Sequence, residues 1–237
     1  MSISKAQIKR IRSYQQKKFR SEDGVFVIEG RKNVEEALRI IKGDMACFTT
    51  DTDFSERFKV PLIEMKDMEQ ISSLTTPPGY LAVLKQPQFR FPVEPKRICI
   101  ANDLSDPGNL GTLIRTAEWF GVEVLLLDEE TADPFNAKTV QATMGSILRM
   151  PIIRSSRAEI IQYCRNENLS LLVADMKGEN IHSFKSPAAW ALVIGSESHG
   201  VHDEFRTAAA HAVHIPSKGK AESLNATVAA GIILSHL

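Results

Sequence analysis

The chain of 237 residues is 43% hydrophobic and 24% charged, an ordinary soluble globular composition that supports one large domain or two modest ones. Its 29 basic and 29 acidic residues cancel, so bulk charge does not announce a nucleic-acid binder, and no apolar run is long enough to cross a bilayer. Cys47, Cys99 and Cys164 are far apart and odd in number, which argues against a disulfide framework and a zinc site and suits a reducing cytoplasm.

The charge is unevenly distributed. The opening "MSISKAQIKRIRSYQQKKFR" carries Lys5, Lys9, Arg10, Arg12, Lys17, Lys18 and Arg20 and no acidic residue. It lacks the apolar core of a secretory signal and reads as a helical segment that either tracks a phosphate backbone or shows a solvated face. "GVFVIEG" (24–30) is a short strand between glycines, followed by a helix, "RKNVEEALRII", with Val34, Ala37, Leu38 and Ile41 at helical spacing. "MACFTT", "VPLIEM" and "GYLAVLK" read as further strands, so residues 1–85 form a small α/β domain. Pro87, Pro92 and Pro95 then interrupt any helix or central strand, and residues 86–96 read as a linker.

Residues 97–237 form the second domain, where the alternation is stronger. "RICIAND", "VEVLLLD", "MPIIR", "LSLLVAD", "WALVIGSE" and "AVHIP" are strands. Between and after them lie the helices "GNLGTLIRTAEWFG", closed by Gly121, "NAKTVQATMGSIL", "RAEIIQYCRNEN" and "SLNATVAAGIIL". Continuous apolar strands between helices mean a parallel sheet covered on both faces, and a doubly wound nucleotide-binding fold is the default.

Such a sheet places its site outside the carboxyl ends of its strands, where three loops stand out. In "LSDPGNLGTLIR", Asp106-Pro107-Gly108-Asn109 is turn chemistry, and Arg115 follows where a guanidinium could meet a phosphate or carboxylate. "GSESHGV" places Glu197 among glycines, a poor phosphate cradle better suited to a hydroxyl, an amine or a sulfonium. In "HIPSKGKAESLNATVAAGIILSHL", Gly219-Lys220 is followed by Ala221 rather than Ser or Thr, so this is no phosphate loop of the Walker type. Ser223 reads as the N-cap of the last helix, with Asn225 inside its first turn. His199 with His202, and His211 with His214, could each share a helix face, but no carboxylates or cysteines stand at ligand spacing, so no metal is expected.

Together the three loops resemble the ordered blocks of the SpoU (TrmH) branch of the SPOUT RNA methyltransferases. These blocks are "NDLSDPGNLGTLIRTAEWFG" (102–121), "LVIGSESHGV" (192–201) and "IPSKGKAESLNATVAAGII" (215–233). Residues 1–85 are similar, less specifically, to the small RNA-binding domain ahead of the catalytic domain in ribosomal-RNA members. The resemblance implies an α/β fold whose parallel sheet carries a C-terminal deep trefoil knot, S-adenosyl-L-methionine as methyl donor, and a homodimer. By position it implies donor contacts at Gly195, Ile215 and Leu224, and catalytic roles for Asn109, Arg115, Glu197, Ser223 and Asn225. Lys9, Arg10, Arg12, Lys17, Lys18 and Arg31 are the RNA-binding candidates of the leading domain.

The implied reaction is methylation of a ribose 2′-hydroxyl, with ribosomal RNA preferred to transfer RNA because of the separate leading domain and its basic opening. Alignment of oxygen, methyl and sulfur can contribute roughly 7–11 kcal/mol. A general base gives about 10²–10⁴-fold, so positioning contributes more. Arginine stays protonated, which favours orientation and electrostatics as the work of Arg115. Two positions depart from the family's habit: Gln141 where arginine is common, and Ser196 where asparagine is common. Neither removes a catalytic position, so an active enzyme is expected. The competing readings are an inactive RNA-binding or ribosome-assembly relative, and an oxidoreductase, against which the absent G-x-G-x-x-G counts.

Overall fold

The computed structural model describes residues 3–41, 43, 45–196 and 198–237, and divides into two compact units. One comprises Met1–Pro87 with Phe135–Leu148, the other Gln88–Pro134 with Arg149–Leu237.

The first unit runs α1 (Lys5–Ser13), α2 (Lys17–Asp23), β1 (Val25–Glu29), α3 (Arg31–Ile40), β2 (Ala46–Thr49), α4 (Thr52–Phe58), α5 (Met65–Ile71) and β3 (Tyr80–Lys85). The basic opening is thus two helices. Ser4 and Gln7 cap α1 reciprocally, and Gly24, at φ 61°, ends α2 in the left-handed conformation. Arg20 is not part of a solvated face: it is 3% exposed and donates to the carbonyls of Tyr14 at 2.7 Å and Gln15 at 3.0 Å.

β3 is central and antiparallel to both β1 and β2. The strand period sends Phe48, Leu81 and Val83 into one core with Ile11, Met68 and Ile71. Phe26 and Ile28 pair with Leu84 and Ala82 on the opposite side of the sheet, also buried. There Phe135 brings its ring 5.0 Å from that of Phe26, which accounts for the later segment joining this unit. "VPLIEM" is not a strand. Leu62 makes one bridge to Thr49, Pro61 has no amide to give a ladder, and Met65 already begins α5.

The second unit contains β4 (Arg97–Ala101), α6 (Pro107–Trp119) and β5 (Val124–Leu127). The chain then passes through α7 (Ala137–Ala142) of the first unit. It continues with β6 (Ile152–Arg154), α8 (Arg157–Asn166), β7 (Ser170–Asn180), β8 (Trp190–Ile194), α9 (Asp203–Ala208), β9 (His211–His214) and α10 (Ala226–Leu234). The six strands lie in the order β6-β5-β4-β8-β7-β9, all neighbours parallel. Every residue of β5 and β8 is buried, as a sheet covered on both faces requires. β4 lies between β5 and β8, so the loops leaving β4 and β8 part beside each other at the carboxyl edge.

Local chemistry corrects three helix expectations. "NAKTVQATMGSIL" is not one helix: Met144 (φ 50°) and Gly145 (φ 96°) break it into α7 and a 3₁₀ turn at Ser146–Leu148. The last helix begins at Ala226, and its N-cap is Asn225 rather than Ser223. His199 and His202 fall in the loop after β8 and at the N-cap of α9, while His211 and His214 lie on β9, so neither pair shares a helix face. No helix among the described residues is long and apolar enough to cross a membrane.

Candidate active site

The middle of β7 at Ala174, Asp175 and Met176, the ends of β8 and β9, the loop after β9 and the start of α10 line a cavity of about 600 Å³. Gly195, Ile215, Ser223 and Leu224 all line it. Leu224 is 46% exposed, an apolar side chain held at a cavity wall rather than in the core. Gly195 is required by close approach. Ser196 and Gly200 form a bridge, with N–H···O distances of 3.2 and 2.9 Å, that folds the loop back on itself. A Cβ on Gly195 would stand 2.2 Å from the Gly200 carbonyl carbon. Glu197, in the same loop, lies outside the described residues.

Beside the cavity, two helices begin together. Asp106 caps α6 by accepting from the Asn109 amide at 2.8 Å, and Pro107 occupies its first position. Asn225 caps α10, its side-chain oxygen accepting from the Thr227 amide at 2.9 Å and the Thr227 hydroxyl at 2.6 Å. That role orients the Asn225 amide, whose nitrogen donates to the Asn109 side-chain oxygen at 3.2 Å. Ser223 and Leu224 on the cavity wall therefore lead directly into the Asn109–Asn225 pair.

Arg115 is not brought to that pair. It lies six residues further along α6, about 9 Å along the axis, on an exposed stripe with Thr112 and Trp119. Among the described residues nothing pairs with its guanidinium.

A polar cluster that sequence reasoning missed sits where β4 and β5 end. Asn102 and Asp128 are both fully buried, with the Asn102 amide donating to Asp128 at 2.7 Å. Asp128 also accepts from the Asp103 amide at 3.1 Å and from Thr131 through its amide at 3.0 Å and its hydroxyl at 2.7 Å. Burial alone would raise the Asp128 pKa, but these hydrogen bonds outweigh it and hold the carboxyl below the usual range. The sequence signal was an acid or amide ending an otherwise apolar strand, "ICIAN" and "VLLLD".

In the first unit the six residues proposed to bind RNA are all exposed but not equivalent. Arg10 pairs with Asp23, Lys18 with Glu22 at 3.9 Å, and Arg31 with Asp51 at 3.6 Å. Lys9, Arg12 and Lys17 have no acidic partner among the described residues.

The profile of the SpoU rRNA methylase family matches residues 96–235. The chain belongs to that family. Residues 5–82 match the MRM3-like substrate binding domain. This SpoU methylase is 28% identical to the 23S rRNA (guanosine(2553)-2′-O)-methyltransferase RlmP of Bacillus subtilis, across all of this chain and 97% of the relative. A TrmH-family protein from Porphyromonas gingivalis has the same fold, with a TM-score of 0.90, 30% identity, and coverage of 99% of this chain and 97% of the other. An S-adenosylmethionine-bound rRNA methyltransferase from Sinorhizobium meliloti superimposes with a TM-score of 0.86 at 28% identity, covering 100% and 96%.

As a SpoU methylase the protein is an RNA methyltransferase whose methyl donor is S-adenosylmethionine. The cavity suits that donor: its volume is that of a small-molecule site, its walls are largely apolar, and Gly195 and Ile215 bring main chain to its lining.

Proposed function

We propose that this SpoU methylase modifies a ribose 2′-hydroxyl of ribosomal RNA, working as a homodimer in the cytoplasm. The observation that carries the reading is the continuity of the cavity wall, through Ser223 and Leu224, with the Asn109–Asn225 pair. A donor in the cavity and a ribose at that pair would be neighbours.

S-adenosylmethionine supplies a methyl group on a sulfonium that leaves as a neutral thioether. In this reading Ile215 and Leu224 flank the adenine, while main chain at Gly195 reads its edge. Asn109 and Asn225 hold the ribose, and Ser223 and Glu197 fix the loops around it. The N-termini of α6 and α10, side by side, favour negative charge developing on the 2′-oxygen. The residues therefore act mainly by alignment, which outweighs what proton transfer can add.

Arg115 belongs to the same site through a second copy of the chain. Its stripe on α6 includes Trp119, which is 84% exposed, and α10 carries Val228, which is 50% exposed. Covering these apolar side chains in a homodimer would present Arg115 to the partner's ribose as a phosphate ligand and electrostatic aid. Residues 1–85 bind RNA and residues 97–237 carry out the chemistry, with the C-terminal region from β7 to α10 forming the knot. Ribosomal RNA is favoured because similarity to RlmP spans both regions, including the leading one.

The test is transfer of labelled methyl from S-adenosylmethionine to separated ribosomal and transfer RNA from an unmethylated source, with nucleoside analysis. A 2′-O-methylated nucleoside from ribosomal RNA is expected. Labelling of transfer RNA alone would overturn the substrate, and no transfer to either fraction together with no donor binding would favour the RNA-binding relative.

A further inference from the structure

We infer that Asn102 is a positioning residue: its side chain locks the donor-side loop after β8 to the loop that opens α6. The inference rests on the donor-site reading and extends it to a residue that touches neither donor nor RNA.

Three bonds define the lock. The Asn102 backbone amide donates to the carbonyl of Ile194, the last residue of β8, at 2.9 Å. Its side-chain oxygen accepts from the His202 amide at 2.7 Å, beyond the far end of the Gly195–Gly200 fold. Its side-chain nitrogen donates to Asp128 at 2.7 Å. Asn102 thereby holds the loop after β8 at both ends, from a position four residues before the N-cap of α6.

The amide has only one workable orientation. A carboxylate on one side demands a donor, and a main-chain N–H on the other demands an acceptor. Turning the group over would set oxygen against oxygen and N–H against N–H. Asp128 thus chooses the rotamer that grips His202. Asp128 is itself held by Arg157, 3.3 Å away, which also reaches Glu204 of α9 at 3.1 Å. A closed circuit runs from Asn102 through His202 and α9 to Arg157, Asp128 and back. Because Asn102 and Asp128 are fully buried, a broken bond between them leaves a polar group without water to replace its partner.

The position also explains why the fold supports this at β4. The chain at Asp103 takes a left-handed φ of 53°, so β4 ends abruptly and the Asp103 amide turns onto Asp128. The Asp103 carboxylate then faces the Ser196 hydroxyl and His199, each at 3.5 Å, on the donor-side loop. The loops after β4 and β8 are coupled as one body.

The experiment measures S-adenosylmethionine affinity, kcat and Tm for the full-length protein carrying Asn102→Asp, Asp128→Asn, and both changes together. Asn102→Asp sets two carboxylates against each other and should weaken donor affinity roughly tenfold or more. The double variant exchanges donor and acceptor between the two positions and keeps the buried charge count. It restores their mutual bond while giving up the Arg157 contact to residue 128, so it should recover part of that affinity. Ile160→Val, on the buried face of α8, should lower Tm and leave donor affinity unchanged. Wild-type donor affinity in Asn102→Asp, measured well below its Tm, would overturn the inference. So would a double variant no better than the worse single one. Failure of the wild type to bind donor would instead overturn the reading of the cavity.

Discussion

Asn225 donates its side-chain amide to Asn109 at 3.2 Å across a separation of 116 residues, joining the N-termini of α6 and α10. The same Asn225 caps α10 with its oxygen. One side chain therefore has a structural half and a half that faces the proposed site, and chemistry can separate them.

Asn225→Asp keeps a good cap, because an aspartate oxygen accepts from the Thr227 amide and suits the positive helix end. It removes the donor to Asn109. Tm should stay near the wild-type value while methyl transfer falls roughly 10²-fold, as expected from a misplaced reacting group. Asn225→Ala should lose both, with about 1 kcal/mol of stability gone with the cap. Thermal unfolding beside single-turnover transfer distinguishes the two.

Arg115 is an exposed residue of α6, and among the described residues no hydrogen bond or ion pair engages its guanidinium. Arg115→Ala should change stability by no more than about 0.5 kcal/mol, keep donor affinity and abolish transfer. Arg115→Lys should not restore it, since an ammonium cannot reproduce the planar fork. Mixing Arg115→Ala with an inactive Asn109→Ala variant tests the dimer reading: recovered activity in the mixture requires Arg115 to act on the partner's site.

Gly195→Ala places a methyl 2.2 Å from backbone carbon, and backbone does not yield as a side-chain tip would. The loop after β8 must shift, so donor affinity should drop sharply. Isothermal titration with S-adenosylmethionine would show it, and wild-type affinity in this variant would disprove the close approach as a requirement.

The basic opening should act through its unpaired members. Removing one phosphate-binding cation lowers the slope of log affinity against log salt by about 0.7–0.9. Lys9→Ala, Arg12→Ala and Lys17→Ala should each reduce the slope by about that much. Arg10→Ala should reduce it less, because Arg10 is engaged with Asp23.

Asp128 makes a signed pH effect. Its folded pKa is depressed, so its contribution to stability is fully present above the unfolded value of about 3.9 and is lost as pH falls through the folded value. Urea midpoints measured from neutral pH down to about pH 3 should fall, and Asp128→Asn should flatten that acid limb.

The sequence alone was enough for the alternation of apolar strands and amphipathic helices, and for the three blocks that carry Asn109, Gly195, Ile215, Leu224 and Asn225. Those features are local: a buried parallel strand must be apolar throughout, and a loop motif is contiguous in the chain. Local signals also misled. Ser223 looked like the cap of the last helix, but serine and asparagine cap equally well, and the bond to Asn109 accompanies the choice of Asn225. "VPLIEM" has strand composition, yet a Pro-containing segment bridged at one residue has no ladder to join. What only tertiary structure decided was which distant polar groups meet. The grip of Asn102 on His202 and Asp128, the burial of Arg20 within a basic segment, and the exposure of Arg115 away from the Asn109–Asn225 pair depend on strand order and packing. A hydrogen bond between residues 100 positions apart leaves no periodicity to read, because its energy is realised only once the sheet has brought both partners out of water.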